Sequence, residues 1–133
     1  MQSPPRLLIA DDDADMRAWL RAIAEKLGVT VDEAEDGADL LAQLDAYDAV
    51  ITDDRMPIPH GRHVVGMARA CGVEIPFLII SAHDRDLHGE AANLGATDFL
   101  PKPFLPEAIR DWCTRSLRLT PGPLESSGKD SRS

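Results

Sequence analysis

The chain has 133 residues, enough for one domain with a real core and too few for two comfortable ones. Its formal net charge of -9 argues against nucleic-acid binding by this domain, because phosphate contacts need a basic face. No basic-then-apolar leader and no apolar run of bilayer-spanning length appears, and Cys71 and Cys113 lack metal-ligand spacing. The expectation is a cytoplasmic protein with no membrane partner, its two thiols reduced and partly buried.

Met1–Pro5 reads as a short disordered lead. Arg6–Ala10 is an apolar run that leads straight into Asp11, Asp12 and Asp13, and it predicts a buried strand. A first helix follows over about Ala14–Leu27. Met16, Leu20, Ile23 and Leu27 recur on its buried stripe, and Gly28 stops it. Asp13 is the expected N-cap. Val29–Ala34 alternates, with Val29, Val31 and Glu33 sharing one face, and predicts a strand near a sheet edge. A second helix is expected over about Ala38–Leu44. The third strand, Ala49–Thr52, runs straight into Asp53 and Asp54.

A third helix over Arg62–Ala70 precedes a fourth strand, Phe77–Ile80, which ends at Ser81. A fourth helix, Arg85–Leu94, stops at Gly95, and a fifth strand covers Thr97–Leu100. The fifth helix begins at Pro106, a residue suited to a first helical turn, and continues to about Leu117. Leu105 leaves that start weakly capped. Trp19 and Trp112 read as packing residues on the first and last helices. Thr120–Ser133 holds Pro121, Gly122, Pro123, Gly128 and four serines, too little apolar content to pack. The domain is therefore set at residues 1–119, with 120–133 a disordered tail or linker stub.

Strand–helix alternation at this spacing predicts an α/β fold, a doubly wound five-stranded parallel sheet with right-handed crossovers. Carboxylates after the first and third strands suggest the order 2-1-3-4-5, with those two strands flanking the switch point where a ligand belongs. Asp12 and Asp53 then face each other across a crevice, with Asp11 beside them. Several like charges in one crevice repel unless a cation shares it, and oxygen ligands point to Mg²⁺. Helix capping is the competing role for Asp11–Asp13, but it leaves the second cluster unexplained. Lys102 is a counter-ion to Asp53 or a solvated loop lysine, and Lys102–Pro103 is a candidate cis peptide. Ser81 is a donor to a group on Asp53 or a turn serine. No glycine-rich phosphate loop is present, and His60 and His63 do not form a zinc motif.

These residues closely resemble a receiver domain of the two-component response-regulator family over about Arg6–Leu117. The matching pieces are Leu8-Ile9-Ala10-Asp11-Asp12-Asp13, Ala34-Glu35-Asp36-Gly37, Asp53-Asp54-Arg55-Met56-Pro57 through Gly61, Ser81-Ala82, Gly95-Ala96-Thr97-Asp98-Phe99-Leu100 and Lys102-Pro103-Phe104. The resemblance implies a flavodoxin-like (βα)5 sandwich. It implies that Asp53 accepts a phosphoryl group from a sensor histidine kinase or histidine phosphotransfer protein. It further implies that Asp11, Asp12, Asp53 and the Arg55 backbone carbonyl hold Mg²⁺, and that Lys102 pairs with the phosphoryl oxygens.

Ser81 and Phe99 would switch the face made by the fourth helix, fifth strand and fifth helix, although Phe99 alone also reads as plain core. Arg55 and His83 would tune hydrolysis of the acyl phosphate. Output would pass to a downstream protein or a covalently linked output domain, with a homodimer as a further option. His60 and Leu105 depart from the usual family residues. So does Asp54, which is expected to add negative charge beside the acceptor and to strengthen cation dependence. The rival reading is a Mg²⁺-dependent phosphohydrolase with an aspartyl-phosphate intermediate. It needs a second acid two residues after the nucleophile; after Asp53 that place is Arg55, whereas after Asp11 it is Asp13, which leaves the rival open.

Overall fold

The computed structural model describes residues 3–55, 60–81, 95 and 98–119. The elements in chain order are β1 (Arg6–Ala10), α1 (Ala14–Glu25), β2 (Thr30–Ala34), α2 (Gly37–Gln43), a short 3₁₀ turn (Leu44–Ala46), β3 (Ala49–Asp53), α3 (Gly61–Ala70), β4 (Phe77–Ser81), β5 (Asp98–Pro101) and a C-terminal helix (Pro106–Ser116). The fourth helix expected over Arg85–Leu94 lies outside the described residues, as does His83.

The strands form one sheet in the order β2-β1-β3-β4-β5, every pair parallel. β2 takes the edge, as its alternation predicts. The central strands are buried on both faces, which is why they read as unbroken apolar runs. Leu7, Ile9, Ile51, Leu78 and Ile80 pack with Leu20, Ile23 and Ala24 of α1 and with Ile109, Trp112 and Cys113 of the C-terminal helix. Leu8, Ala10, Val50, Phe77 and Ile79 point the other way, onto Leu40 of α2 and Val64, Val65 and Ala68 of α3. Period-two alternation thus divides the sheet between two helical layers.

Local signals fix the helix ends. The Asp13 carboxylate accepts from the backbone N–H groups of Asp15 and Met16 and caps α1, as expected. Gly28 closes α1 at φ +84°, a left-handed conformation that glycine reaches without Cβ strain. The helical hydrogen-bond pattern ends earlier than Leu27, at Glu25, and Met16 and Leu27 are only partly buried. Asp36 caps α2 through the Asp39 N–H at 2.8 Å. Leu105 gives the C-terminal helix no side-chain cap, and the Lys102–Pro103 peptide is cis.

One expectation is corrected. Cys71 is exposed rather than partly buried, because it follows the last turn of α3, whereas Cys113 is fully buried; both are free thiols. Trp19 packs at the surface: it is 39% exposed and rests against Phe104, with ring centroids 5.6 Å apart. Trp112 is buried, and its indole N–H donates to Asp98 at 3.0 Å. Among the described residues no helix is long and apolar enough to cross a membrane.

Candidate functional site

The sheet brings the two acidic runs together at the C-terminal ends of its central strands. β1 pairs with β3 so that Ala10 lies opposite Thr52, and each strand then delivers its carboxylates to the same crevice. Oxygen atoms of Asp11, Asp12 and Asp53 all lie within 4.8 Å of one another. Asp11 and Asp53 are buried, while Asp12 is exposed at the mouth. Burial, reinforced by the nearby Asp53 and Asp12 charges, lifts the Asp11 carboxyl to about 6 against the Asp13 N–H bond and the Lys102 charge, which lower it. Burial also raises the Asp53 carboxyl above its ordinary range, opposed chiefly by Lys102.

Lys102 reaches the site from the loop after β5, with Nζ 3.1 Å from Asp53 Oδ1. Its backbone N–H donates to the Ser81 carbonyl at 2.8 Å, which ties that loop to the end of β4. The other Asp53 oxygen accepts the Arg55 N–H at 3.0 Å. Ser81 is buried at the end of β4, one residue beyond Ile80, the register partner of Asp53. Phe99 lies in β5 opposite Ile79, partly buried against the α2/α3 layer. A small residue is required at Gly61, since a Cβ there would collide with the Asp53 carbonyl oxygen.

An oxygen-rich triangle whose buried members resist ionising is the donor set that a hard divalent cation satisfies, so the residues fit Mg²⁺. One Lys102 ammonium offsets part of the charge and leaves the set net anionic.

Two supports were not anticipated from sequence. Arg17 donates from Nη1 to the Asp11 carbonyl at 2.6 Å and from Nε to Glu33 at 2.8 Å, and Arg21 holds the other Glu33 oxygen at 2.7 Å. Glu33 consequently titrates below its ordinary range. The signal was the pairing of β2 with β1, which sets Glu33 opposite Ile9. The second is Asp54. Its carboxylate turns away from the acidic triangle to accept the Arg62 N–H at 3.2 Å, with Arg62 Nε 3.5 Å from the same oxygen.

Residues 7–113 match the family model for the response regulator receiver domain. The chain belongs to this family. This receiver domain is 38% identical over 110 residues to the response regulator MprA of Mycolicibacterium vanbaalenii, a match covering 80% of the chain and 47% of the relative. It is 36% identical over 107 residues to MprA of Mycobacterium ulcerans, covering 78% and 46%. The chain thus spans about half the length of these curated relatives. Its fold matches the receiver domain of Francisella response regulator 1452 with a TM-score of 0.81 and 26% identity, covering 86% of this chain and 97% of that one. The chemotaxis response regulator CheY4 of Vibrio cholerae superposes with a TM-score of 0.78 and 27% identity, covering 86% and 99%. The flavodoxin-like architecture expected from sequence is the one observed. Receiver domains are signalling modules of two-component systems rather than conventional enzymes, and the family assignment gives the phosphohydrolase alternative no support.

Proposed function

We propose that this receiver domain is a phosphorylation switch with Asp53 as the phosphoacceptor. The observation that carries this reading is the buried Asp53 carboxylate, flanked by Asp11 and Asp12 and held by Lys102 at 3.1 Å. A phosphohistidine on a sensor histidine kinase or phosphotransfer protein is the donor. An Asp53 oxygen attacks phosphorus, the P–N bond breaks, and the histidine nitrogen leaves with its electron pair. Such a transfer asks the protein for position and charge neutralisation rather than a base.

Asp11, Asp12, Asp53 and the Arg55 carbonyl would hold Mg²⁺, which would supply charge neutralisation for the phosphoryl oxygens. Lys102 pairs with those oxygens from the β5 side. Ser81 donates its hydroxyl to the phosphoryl group, and Phe99 turns inward with it. That movement alters the face of β5 and the C-terminal helix, together with the fourth helix expected from sequence, where a downstream protein, a linked output domain or a second copy docks. Water attacking the same phosphorus breaks its bond to the Asp53 oxygen, releases inorganic phosphate and restores the carboxylate, at a rate tuned by Arg55 and His83. We place the protein in the cytoplasm, the domain at residues 1–119, and a tail or linker stub at 120–133.

Incubation with acetyl phosphate and Mg²⁺, followed by intact-mass measurement, tests the reading. Gain of one phosphoryl group, absent in Asp53→Ala and abolished by a chelator, is expected. A wild-type chain that binds no Mg²⁺ and takes no label would overturn it.

A further inference from the structure

The sequence places an acid directly after the acceptor, at Asp54, and a histidine, His60, directly before the glycine that opens α3. The structure relates these two positions. His60 is the N-cap residue of α3 by backbone conformation, yet its side chain makes no capping hydrogen bond. The N–H that a capping side chain ordinarily satisfies at the second helical position belongs here to Arg62. That N–H donates to the Asp54 carboxylate at 3.2 Å, from a residue six positions before the cap. Asp54 also accepts the Gly61 N–H on its backbone carbonyl at 3.2 Å, and its own N–H donates to Ile80 of β4 at 2.9 Å. Each of its polar groups therefore joins the residue after the acceptor to a neighbouring element. The helix start is in turn pressed onto the acceptor, since nothing larger than glycine fits between Gly61 and the Asp53 carbonyl.

We propose that Asp54 is a positioning residue, which caps α3 from the acceptor strand in place of the side chain at His60 and so fixes the backbone of Asp53 against Gly61. The inference rests on the receiver reading above. It also revises the expectation that Asp54 adds charge to the metal pocket. The Asp54 carboxylate, 5% exposed, is turned to Arg62 and the positive end of a helix, and it is not among the three whose oxygens converge.

The test uses the full chain with Asp54→Asn, Asp54→Ala and the double variant Asp54→Ala/His60→Asp. Three quantities are read: urea midpoint, Mg²⁺ affinity, and initial labelling rate by acetyl phosphate at saturating Mg²⁺. Asp54→Asn keeps the acceptor oxygen and loses the charge, and asparagine caps as well as aspartate. Its Mg²⁺ affinity and labelling rate are expected within about twofold of wild type, since the cap it retains is the part that matters. Asp54→Ala is expected to lower the midpoint and to slow labelling on the order of tenfold, as small misplacements of a reacting group do. The double variant supplies a cap from the helix's own N-cap position and is expected to regain both midpoint and rate.

The proposal fails if Asp54→Asn matches Asp54→Ala in rate, or shifts Mg²⁺ affinity by about tenfold, because charge would then dominate. It fails equally if Asp54→Ala labels at the wild-type rate, or if the double variant regains stability without rate. A wild-type chain that binds Mg²⁺ but never labels would overturn the receiver chemistry and the positioning role with it. The cap itself would then stand or fall on rescue of the midpoint.

Discussion

Replacing Asp11 by asparagine should stabilise the metal-free domain at neutral pH. Asp11 is 2% exposed, and its carboxyl is lifted from the ordinary 3.8 to about 6, first by burial and then by the Asp53 and Asp12 charges. The folded state therefore binds the Asp11 proton more tightly than the unfolded chain does. Between these two values the native state holds more protons, so stability falls as pH rises through the window and the full cost is present above about 6. A lift of that size corresponds to about 3 kcal/mol of differential free energy, a ceiling because the converging acids titrate as a coupled group and share that shift. The asparagine side chain of the variant retains the oxygen that accepts the Asp13 N–H at 2.8 Å, so the loop geometry is preserved. Urea denaturation in EDTA at several pH values between about 4 and 7.5, compared between the two proteins, measures the effect. The gain should be largest near neutrality and should shrink as pH falls through the window. An Asp11→Asn protein no more stable than wild type at pH 7, or a gain independent of pH, would refute the reasoning.

Three further perturbations probe the neighbouring contacts. Lys102→Met removes the ammonium 3.1 Å from Asp53; labelling by acetyl phosphate should slow by about 10²-fold while Mg²⁺ still binds, and an unchanged rate counts against the assigned role. Gly61→Ala drives a methyl into the Asp53 carbonyl oxygen and should cost about 2 kcal/mol by overpacking, seen as a lower urea midpoint; unchanged stability would show that α3 can retreat freely. Arg69 donates to the carbonyls of Gly95, Val73 and Ile75, each at 2.9 Å, and lies over the Phe77 ring. Arg69→Ala should cost about 2–3 kcal/mol in denaturation, with a loss under about 0.5 kcal/mol marking those carbonyls as well served without it.

The sheet was readable because the burial of its central strands is unbroken. Strands covered on both faces must be apolar throughout, and the runs at Arg6, Ala49 and Phe77 obey that rule whatever surrounds them. The acids were readable because an aspartate run at the end of an apolar strand has few other purposes. What stayed hidden depends on contacts between elements distant in sequence. Helical spacing places Trp19 beside Met16 and Leu20, but it does not say that its ring meets Phe104 of the loop after β5. Asp54 reads as charge next to charge until α3 is in place and draws its carboxylate away. Arg17 and Glu33 meet only because β2 lies alongside β1 in one particular register.

The distribution of cations around the acids leaves the crevice short of positive charge. Arg17 approaches Asp11 at the backbone carbonyl and commits its Nε to Glu33, leaving the Asp11 carboxylate itself raised. Arg62 is taken up by Asp54, which is not one of the converging acids. Lys102 alone, among the described ion pairs, reaches one of the converging carboxylates, and its single charge does not return Asp53 to the ordinary range. Guanidinium groups would neutralise the triangle permanently if they entered it. Held at its back and side, they brace the loops that carry the acids while the charge deficit stays in the centre. The same placement leaves Asp53 offset by a single cation, carried on the flexible stem of Lys102.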